Sequence, residues 1–325
     1  GEGYGMAQVY EEKYGEWVMM VPEILGEFSG DAAGKSVALS ADGKTLAVGS
    51  PGFIESSIGG QVKLYRENEG FWEELGTGLV GDDAFDRFGT SVALSDDGSR
   101  VAVSAPAGDN IGRKTVEVYE LDGDGWPQLG GDLVGRYGAD PVAMAGTGDV
   151  VALGSLSTAD NNYASAVRVY HYERMEQEWA RRGSDISLGS SGLTHNINWM
   201  PSLSADGNTL AIGSSVEIAN GMSTNDEHEL KVYVYRYNKS KDEWARDGEE
   251  VYSKRGRNLL RLSASLSADG KTLAIGDPSG QPSDEGGYVH ILRLLDDEWV
   301  DVETIKDGLD EAQVGFDVSL SADGK

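Results

Sequence analysis

Short apolar runs of four to six residues recur along the chain, and a polar turn stops each of them. The clearest copy is Val37-Ala-Leu-Ser40, then Ala41-Asp42-Gly43-Lys44, then Thr45-Leu-Ala-Val-Gly49. Two such runs around Asp-Gly predict a β-hairpin, because glycine accepts the positive φ that the tight primed turns require. The phrase returns over residues 88–104, 200–213, 263–276 and 316–325, and in degenerate form over 142–154. Its turn glycines, Gly43, Gly98, Gly148, Gly207, Gly270 and Gly324, stand 55, 50, 59, 63 and 54 residues apart. After a variable loop comes a second pair, seen in Gln61-Val-Lys-Leu-Tyr-Arg66 and Trp72-Glu-Glu-Leu-Gly76. Its alternation of apolar and polar positions fits strands that are half exposed near a sheet edge.

Four strands per repeat of about 55 residues is the blade of a β-propeller. Serine, alanine and glycine crowd the first pair, as suits strands that converge on an axis. Tryptophans at 17, 72, 126, 179, 244 and 299 keep phase with the turns and are expected to be core pegs. A long solenoid would need polar caps, and neither end looks like one. The fold expected is therefore all-β, one propeller domain over residues 1–325 with about six four-stranded blades. The opening segments, Met6-Ala-Gln-Val-Tyr10 and Trp17-Val-Met-Met20, read as an outer strand pair, whereas residues 316–325 supply an inner strand and its turn. Together they predict a last blade closed from both ends, short of its second strand, so the chain reads as a fragment of a longer one. Continuation past Lys325 makes seven blades the alternative.

Composition narrows the partners. The chain holds 55 acidic and 27 basic residues, a net charge of −28, which repels phosphate backbones and anionic lipid surfaces alike. Nucleic acid is excluded as a natural partner, and no apolar run approaches the 18 residues of a membrane-spanning helix. With no cysteine there is neither a disulfide nor a thiolate nucleophile. The four histidines, at 171, 195, 228 and 290, show no metal-ligand spacing.

Asp86-Arg-Phe-Gly-Thr-Ser-Val-Ala-Leu-Ser95 with Val103-Ser-Ala-Pro106, Gly315-Phe-Asp-Val-Ser-Leu-Ser321 and Val48-Gly-Ser-Pro51 resemble the FG-GAP repeat of integrin α-subunit propellers and of secreted microbial and algal proteins. The resemblance covers nearly the whole chain and implies an extracellular or cell-surface module for adhesion or ligand binding. Blades of that family carry a calcium loop in the first hairpin. Here the hairpin is cut to Ser-Ala-Asp-Gly, and one carboxylate cannot supply the six to eight oxygens that calcium takes. No cofactor or metal is expected, and Asp42, Asp97, Asp206, Asp269 and Asp323 are read as turn formers. Asp122-Gly-Asp124-Gly, on an outer hairpin, is read as an acidic turn.

The loops after each second strand share one face and vary most. There Asn110, Asp160, Asn161, Asn162, Tyr163, Asn225, Asp226 and Asp284 offer amide, carboxylate and aromatic groups suited to sugars or peptides. The fourth repeat departs from the rest, with His195-Asn-Ile-Asn-Trp199 ahead of its first strand. Asn238-Lys-Ser240 is a candidate glycosylation sequon. No serine-hydrolase elbow, phosphate loop or zinc-protease motif occurs, so no catalytic residue is assigned. The function expected is a non-catalytic binding or structural module, its partner a protein, a surface glycan or a neighbouring domain of a larger assembly. The alternatives are a carbohydrate-active propeller enzyme or lectin, whose catalytic form would bring a carboxylate pair together near the axis, and a structural domain of a surface filament or wall protein.

Overall fold

The computed structural model describes the chain apart from residues 1–2, 21, 53–58, 83–85, 107–114, 136–140, 156–165, 188–194, 197–200, 219–226, 257–261, 279–286, 307–313 and 325. Among the described residues the regular elements are β-strands, and the architecture is a β-propeller of successive antiparallel meanders. The repeated turn explains why they form. Ser40 N donates to Thr45 O at 2.9 Å and Gly43 N to Ser40 O at 2.9 Å, while the Asp42 carboxylate accepts from Ser40 Oγ at 2.6 Å and Lys44 N at 3.0 Å. The Ser40 hydroxyl and then the Lys44 amide hold Asp42 below the usual carboxylate range. Asp97, Asp206, Asp269 and Asp323 accept in the same way from the serine two residues before each. These aspartates thus close turns, the side chain standing in for a backbone acceptor.

The chain divides into two compact units, residues 1–144 with 172–179 and residues 145–171 with 180–325. In the first unit one sheet runs Ser36–Leu39, Thr45–Ser50, Gln61–Asn68, Phe71–Glu74, with Leu79–Val80 pairing further along Gln61–Asn68. The next sheet runs Val92–Leu94, Arg100–Ala105, Thr115–Glu120, Leu133–Val134. Val62, Leu64 and Leu79 of the first pack against Phe88, Val101, Val103 and Trp126 of the second. Phe88 is fully buried, worth about 2–3 kcal/mol of hydrophobic stabilisation. Beside it the two backbones touch: a Cβ on Gly49 would lie 2.2 Å from Gly89 O, which instead accepts from Ser36 Oγ at 2.8 Å.

Three of the tryptophans follow one rule. Trp126 Nε1 donates to Leu75 O at 3.0 Å, Trp179 Nε1 to Leu129 O at 2.7 Å and, in the second unit, Trp244 Nε1 to Arg182 O at 3.0 Å. Each peg therefore ties its own sheet to the end of the preceding one. Trp17 departs from the expected core position: it is 72% exposed on the hairpin Tyr10–Lys13 and Glu16–Met19, a sheet of two strands with no third among the described residues to cover the ring.

In the second unit the sheet of the fourth repeat is built on Thr209–Ile218 and Glu227–Asn238, flanked by Ser202–Leu203 and His195–Asn196 on one side and by Glu243–Arg246 and Tyr252–Gly256 on the other. The next sheet runs Ser263–Leu266, Thr272–Asp277, Tyr288–Leu295, Glu298–Lys306. Successive turns are hydrogen-bonded: Thr147 N to Ala205 O at 3.0 Å, Ala205 N to Ala268 O at 2.9 Å and Ala268 N to Ala322 O at 2.9 Å. Residues 314–324 dock on the fifth sheet by these same contacts. There Gly315, not Phe316, meets the preceding backbone as Gly89 does, since Ser263 Oγ donates to Gly315 O at 3.1 Å. Phe316, after that glycine, is 49% exposed, whereas Phe88, before Gly89, is buried.

Candidate active site

In four of the repeats the third strand carries a Val-x-Val/Leu-Tyr motif, where x is Lys63, Glu117, Arg168 and Tyr233, and in the fifth the corresponding run is Val289-His290-Ile291-Leu292. The motif's valines and leucine point into the core, so x faces the other side, half-buried. Lys63 Nζ meets Glu74 Oε2 at 3.3 Å on the outer strand, and Arg246 lies 4.1 Å from the Tyr233 ring centroid. At the equivalent places of the fifth sheet, His290 Nδ1 meets Asp301 Oδ2 at 2.8 Å and Thr304 Oγ1 at 3.2 Å.

A carboxylate only accepts, so Nδ1 carries the proton and donates it to Asp301. In the neutral form of the ring the lone pair then sits on Nε2, and the imidazole is a base whose orientation a carboxylate fixes. Two aromatic rings flank it. Tyr252 approaches to 5.1 Å between centroids and Tyr288, on the same strand, stacks at 6.2 Å and 28°.

Behind the imidazole lies a buried ion pair. Asp277, at the end of its strand and wholly inaccessible, accepts from Lys254 Nζ at 2.6 Å and Tyr252 Oη at 2.7 Å. Burial, followed by the Asp277 charge, pushes the Tyr252 hydroxyl far above the usual tyrosine range, so it remains a donor. The registers align Lys254 with Gly81 of the first repeat and Asp277 with Ser50. Gly81 packs against Phe88, whose Cβ would lie 2.8 Å from a Cβ added there. At the place of Gly81 the fourth sheet thus puts lysine, and at the place of Ser50 the fifth puts aspartate. An apolar pair would be at least as stable in such a place, and departures from a repeat's own packing rule concentrate at functional sites.

Asn110, Asp160, Asn161, Asn162, Tyr163, Asn225, Asp226 and Asp284 lie outside the described residues. His195–Asn196 form a short strand paired with Val216 and Ser215. Asn238 ends the strand Glu227–Asn238, and its Oδ1 accepts from Ser240 N at 3.1 Å and Ser240 Oγ at 2.8 Å. Asp122 N and Gly125 N each donate to the other's carbonyl, a closed turn. His290, Asp301, Tyr252, Lys254 and Asp277 form no sequence motif, and the spacing of the histidines at 171, 195, 228 and 290 gives no hint of them. Aligning the third strands would have shown His290 in a column otherwise held by long or charged side chains.

No protein-family model and no curated protein matches the chain. Solved structures do. A chain of hydrazine synthase from Kuenenia stuttgartiensis is similar with a TM-score of 0.57 at 15% identity, over 94% of this chain and 81% of that one. A candidate 6-phosphogluconolactonase from Bacteroides uniformis gives 0.55 at 13%, over 94% and 82%, and the periplasmic gluconolactonase of Pseudomonas aeruginosa 0.47 at 12%, over 96% and 94%. At these identities the likeness is one of fold. The two with the higher scores are named as enzymes rather than adhesion modules, and on that finding the expectation of a non-catalytic binding or structural module is corrected.

Proposed function

We propose that the chain is a carbohydrate-active propeller hydrolase that opens a sugar lactone or a related sugar ester, with His290 as general base. The observation that carries this reading is the 2.8 Å contact between His290 Nδ1 and Asp301, which presents Nε2 as the basic nitrogen between two tyrosine rings. In that role Nε2 takes a proton from water as its oxygen adds to the lactone carbonyl carbon. The bond from that carbon to the ring oxygen then breaks, and the imidazolium returns its proton to the leaving oxygen. Lactone and water become one hydroxy acid, with no oxidant or reductant. Tyr288 and Tyr252 offer flat apolar faces to the sugar ring, the lining usual in small-molecule sites. The named function of the Bacteroides structure is of this class, and a shared fold over 94% of the chain supports the choice among carbohydrate chemistries without deciding it.

The test is acid release from five- and six-membered sugar lactones at fixed pH. The chain should exceed the buffer rate, and His290→Asn should lower kcat by about 10²-fold or more. Wild-type protein no faster than buffer, or His290→Asn as fast as wild type, would sink the reading.

A further inference from the structure

Where the third strand pairs with the last stretch of the outer strand, the first four repeats carry Gln61 with Val80, Thr115 with Val134, Ala166 with Ser187 and Lys231 with Ser253. The fifth carries Tyr288 with Lys306. The neighbouring pair is apolar or aromatic in all five, from Val62 with Leu79 to Val289 with Ile305, so the exchange is confined to one place. A local break with the repeat's own rule marks a site rather than the scaffold.

Lys306 shares the face of His290, since it pairs with Tyr288 while Thr304 pairs with His290. Its ammonium lies 4.9 Å from the Tyr288 ring centroid, and Lys254 Nζ lies 5.6 Å from the same centroid. The two lysines differ in what neutralises them. Asp277 takes the Lys254 charge at 2.6 Å, whereas Lys306 is exposed, rests on the ring and has no ion pair among the described residues. Held over an aromatic face, it keeps its three donors for a further partner.

Distance and charge describe that partner. Residues two apart on a strand are separated by about 7 Å, so His290 and the Tyr288–Lys306 pair stand roughly one sugar ring apart. A lactone lying on the Tyr288 face with its carbonyl carbon at His290 Nε2 turns its far substituent toward Lys306. Residues 251–268, which bring Tyr252 and Lys254 to the site, hold four basic residues and no acidic one, in a chain of net charge −28. An anionic group that the rest of the surface repels is therefore drawn here.

We infer that Lys306 is the specificity-determining residue of this site and selects lactones with an anionic group, carboxylate or phosphate, on the side away from the carbonyl. The choice of a lactone rests on the hydrolase reading; the choice of an anion rests on Lys306 and its surroundings.

Matched six-membered sugar lactones that end in a hydroxymethyl, a carboxylate or a phosphate group test it. Wild type should open the better anionic form with kcat/KM about tenfold or more above the neutral one, and the order of the two anions tells carboxylate from phosphate. Lys306→Met keeps the stem over the ring, removes the charge and should erase that gap, mainly through KM. Lys306→Arg should keep most of it, and Lys271→Met, which removes a charge from an exposed turn, should leave it in place. A neutral lactone opened as fast as both anionic ones overturns the inference, as does a gap that survives in Lys306→Met. Binding is read separately by titrating wild type and Lys306→Met with the open-chain acids of the same three sugars and following the His290 and Tyr288 NMR signals. If wild type opens no lactone but binds an anionic-ended acid more tightly, and Lys306→Met does not, the hydrolase reading fails and the anion site stands. If it opens none and binds all three acids alike, both fall.

Discussion

Glu117 occupies the third-strand position that holds Lys63 and Arg168 in other repeats. Arg168 is paired bidentately with Asp185, through Nε at 2.8 Å and Nη2 at 2.9 Å, whereas Glu117 looks onto Asp132, Asp82 and Asp86. Burial first, then those three charges, raise its carboxyl above the usual range despite the Tyr119 hydroxyl that donates to it at 2.5 Å. Raised in the folded state, this group favours folding while protonated, and the contribution is lost as pH rises through the folded pKa. Glu117→Gln should therefore raise the urea midpoint at pH 8 and change it little near pH 4. Glu117→Lys, which restores the charge found in the sister repeat, should raise it further at pH 8. A midpoint lowered at pH 8 in both would refute the account. The same column of residues shows what could be read beforehand. Val-x-Val/Leu-Tyr marks which side chain leaves the core, so His290 was findable. Its partner was not, because Asp301 comes to it across the hairpin, opposite Leu292, in a register that the turn sets and no local pattern in Glu298–Lys306 announces. Lys254 and Asp277 come from different repeats and meet only when two sheets pack.

At the scale of the hairpin, the Asp-Gly signal was sufficient to place the inner strand pairs of the first, second, fourth and fifth repeats, and the turn hydrogen bonds explain why; ahead of the sixth, at Asp323-Gly324, the turn forms but residues 316–321 are not a regular strand. What it did not disclose is that the turn glycines serve a second purpose. Gly43 (φ +70°) has nothing within 4 Å of the place a Cβ would take, but at Gly270 (φ +65°) that Cβ would lie 2.9 Å from Thr209 Oγ1 and 3.0 Å from Thr209 Cβ. Alanine at 43 should cost about 1–2 kcal/mol for the backbone alone; at 270 overpacking adds about 1–3 kcal/mol. Chemical denaturation of the two variants should rank them in that order, and equal losses would show that the contact with Thr209 relaxes freely. The tryptophans allow a second ranking. Trp126 Nε1 donates to Leu75 O, whereas Trp72 Nε1 is buried with no partner among the described residues. Trp126→Phe should cost about 1 kcal/mol more than Trp72→Phe in the same assay, since only the first gives up a hydrogen bond. The reverse order would mean that Trp72 is satisfied after all.

For the whole chain, the propeller was legible because one phrase is repeated, so weak local signals add. The function was not, since the repeat describes the scaffold and says nothing of where the scaffold is altered. A net charge of −28 also acts at this scale, as self-repulsion that the folded state must bear. Salt screens it, the Debye length falling from about 10 Å at 0.1 M to about 3 Å at 1 M. The melting temperature should accordingly climb between 0.05 and about 1 M sodium chloride; a fall would mean that ion pairs such as Arg168–Asp185 outweigh the repulsion. The hydrogen bonds between turns carry a further meaning. Thr147 donates to Ala205, Ala205 to Ala268 and Ala268 to Ala322, always from the earlier turn to the later. The array thus has a polarity, like a row of identical plugs and sockets, written in backbone atoms that no side-chain substitution removes. A duplicated repeat spliced between two turns would find a donor before it and an acceptor after it already in place. Gene duplication could lengthen such a protein one blade at a time without inventing a new joint.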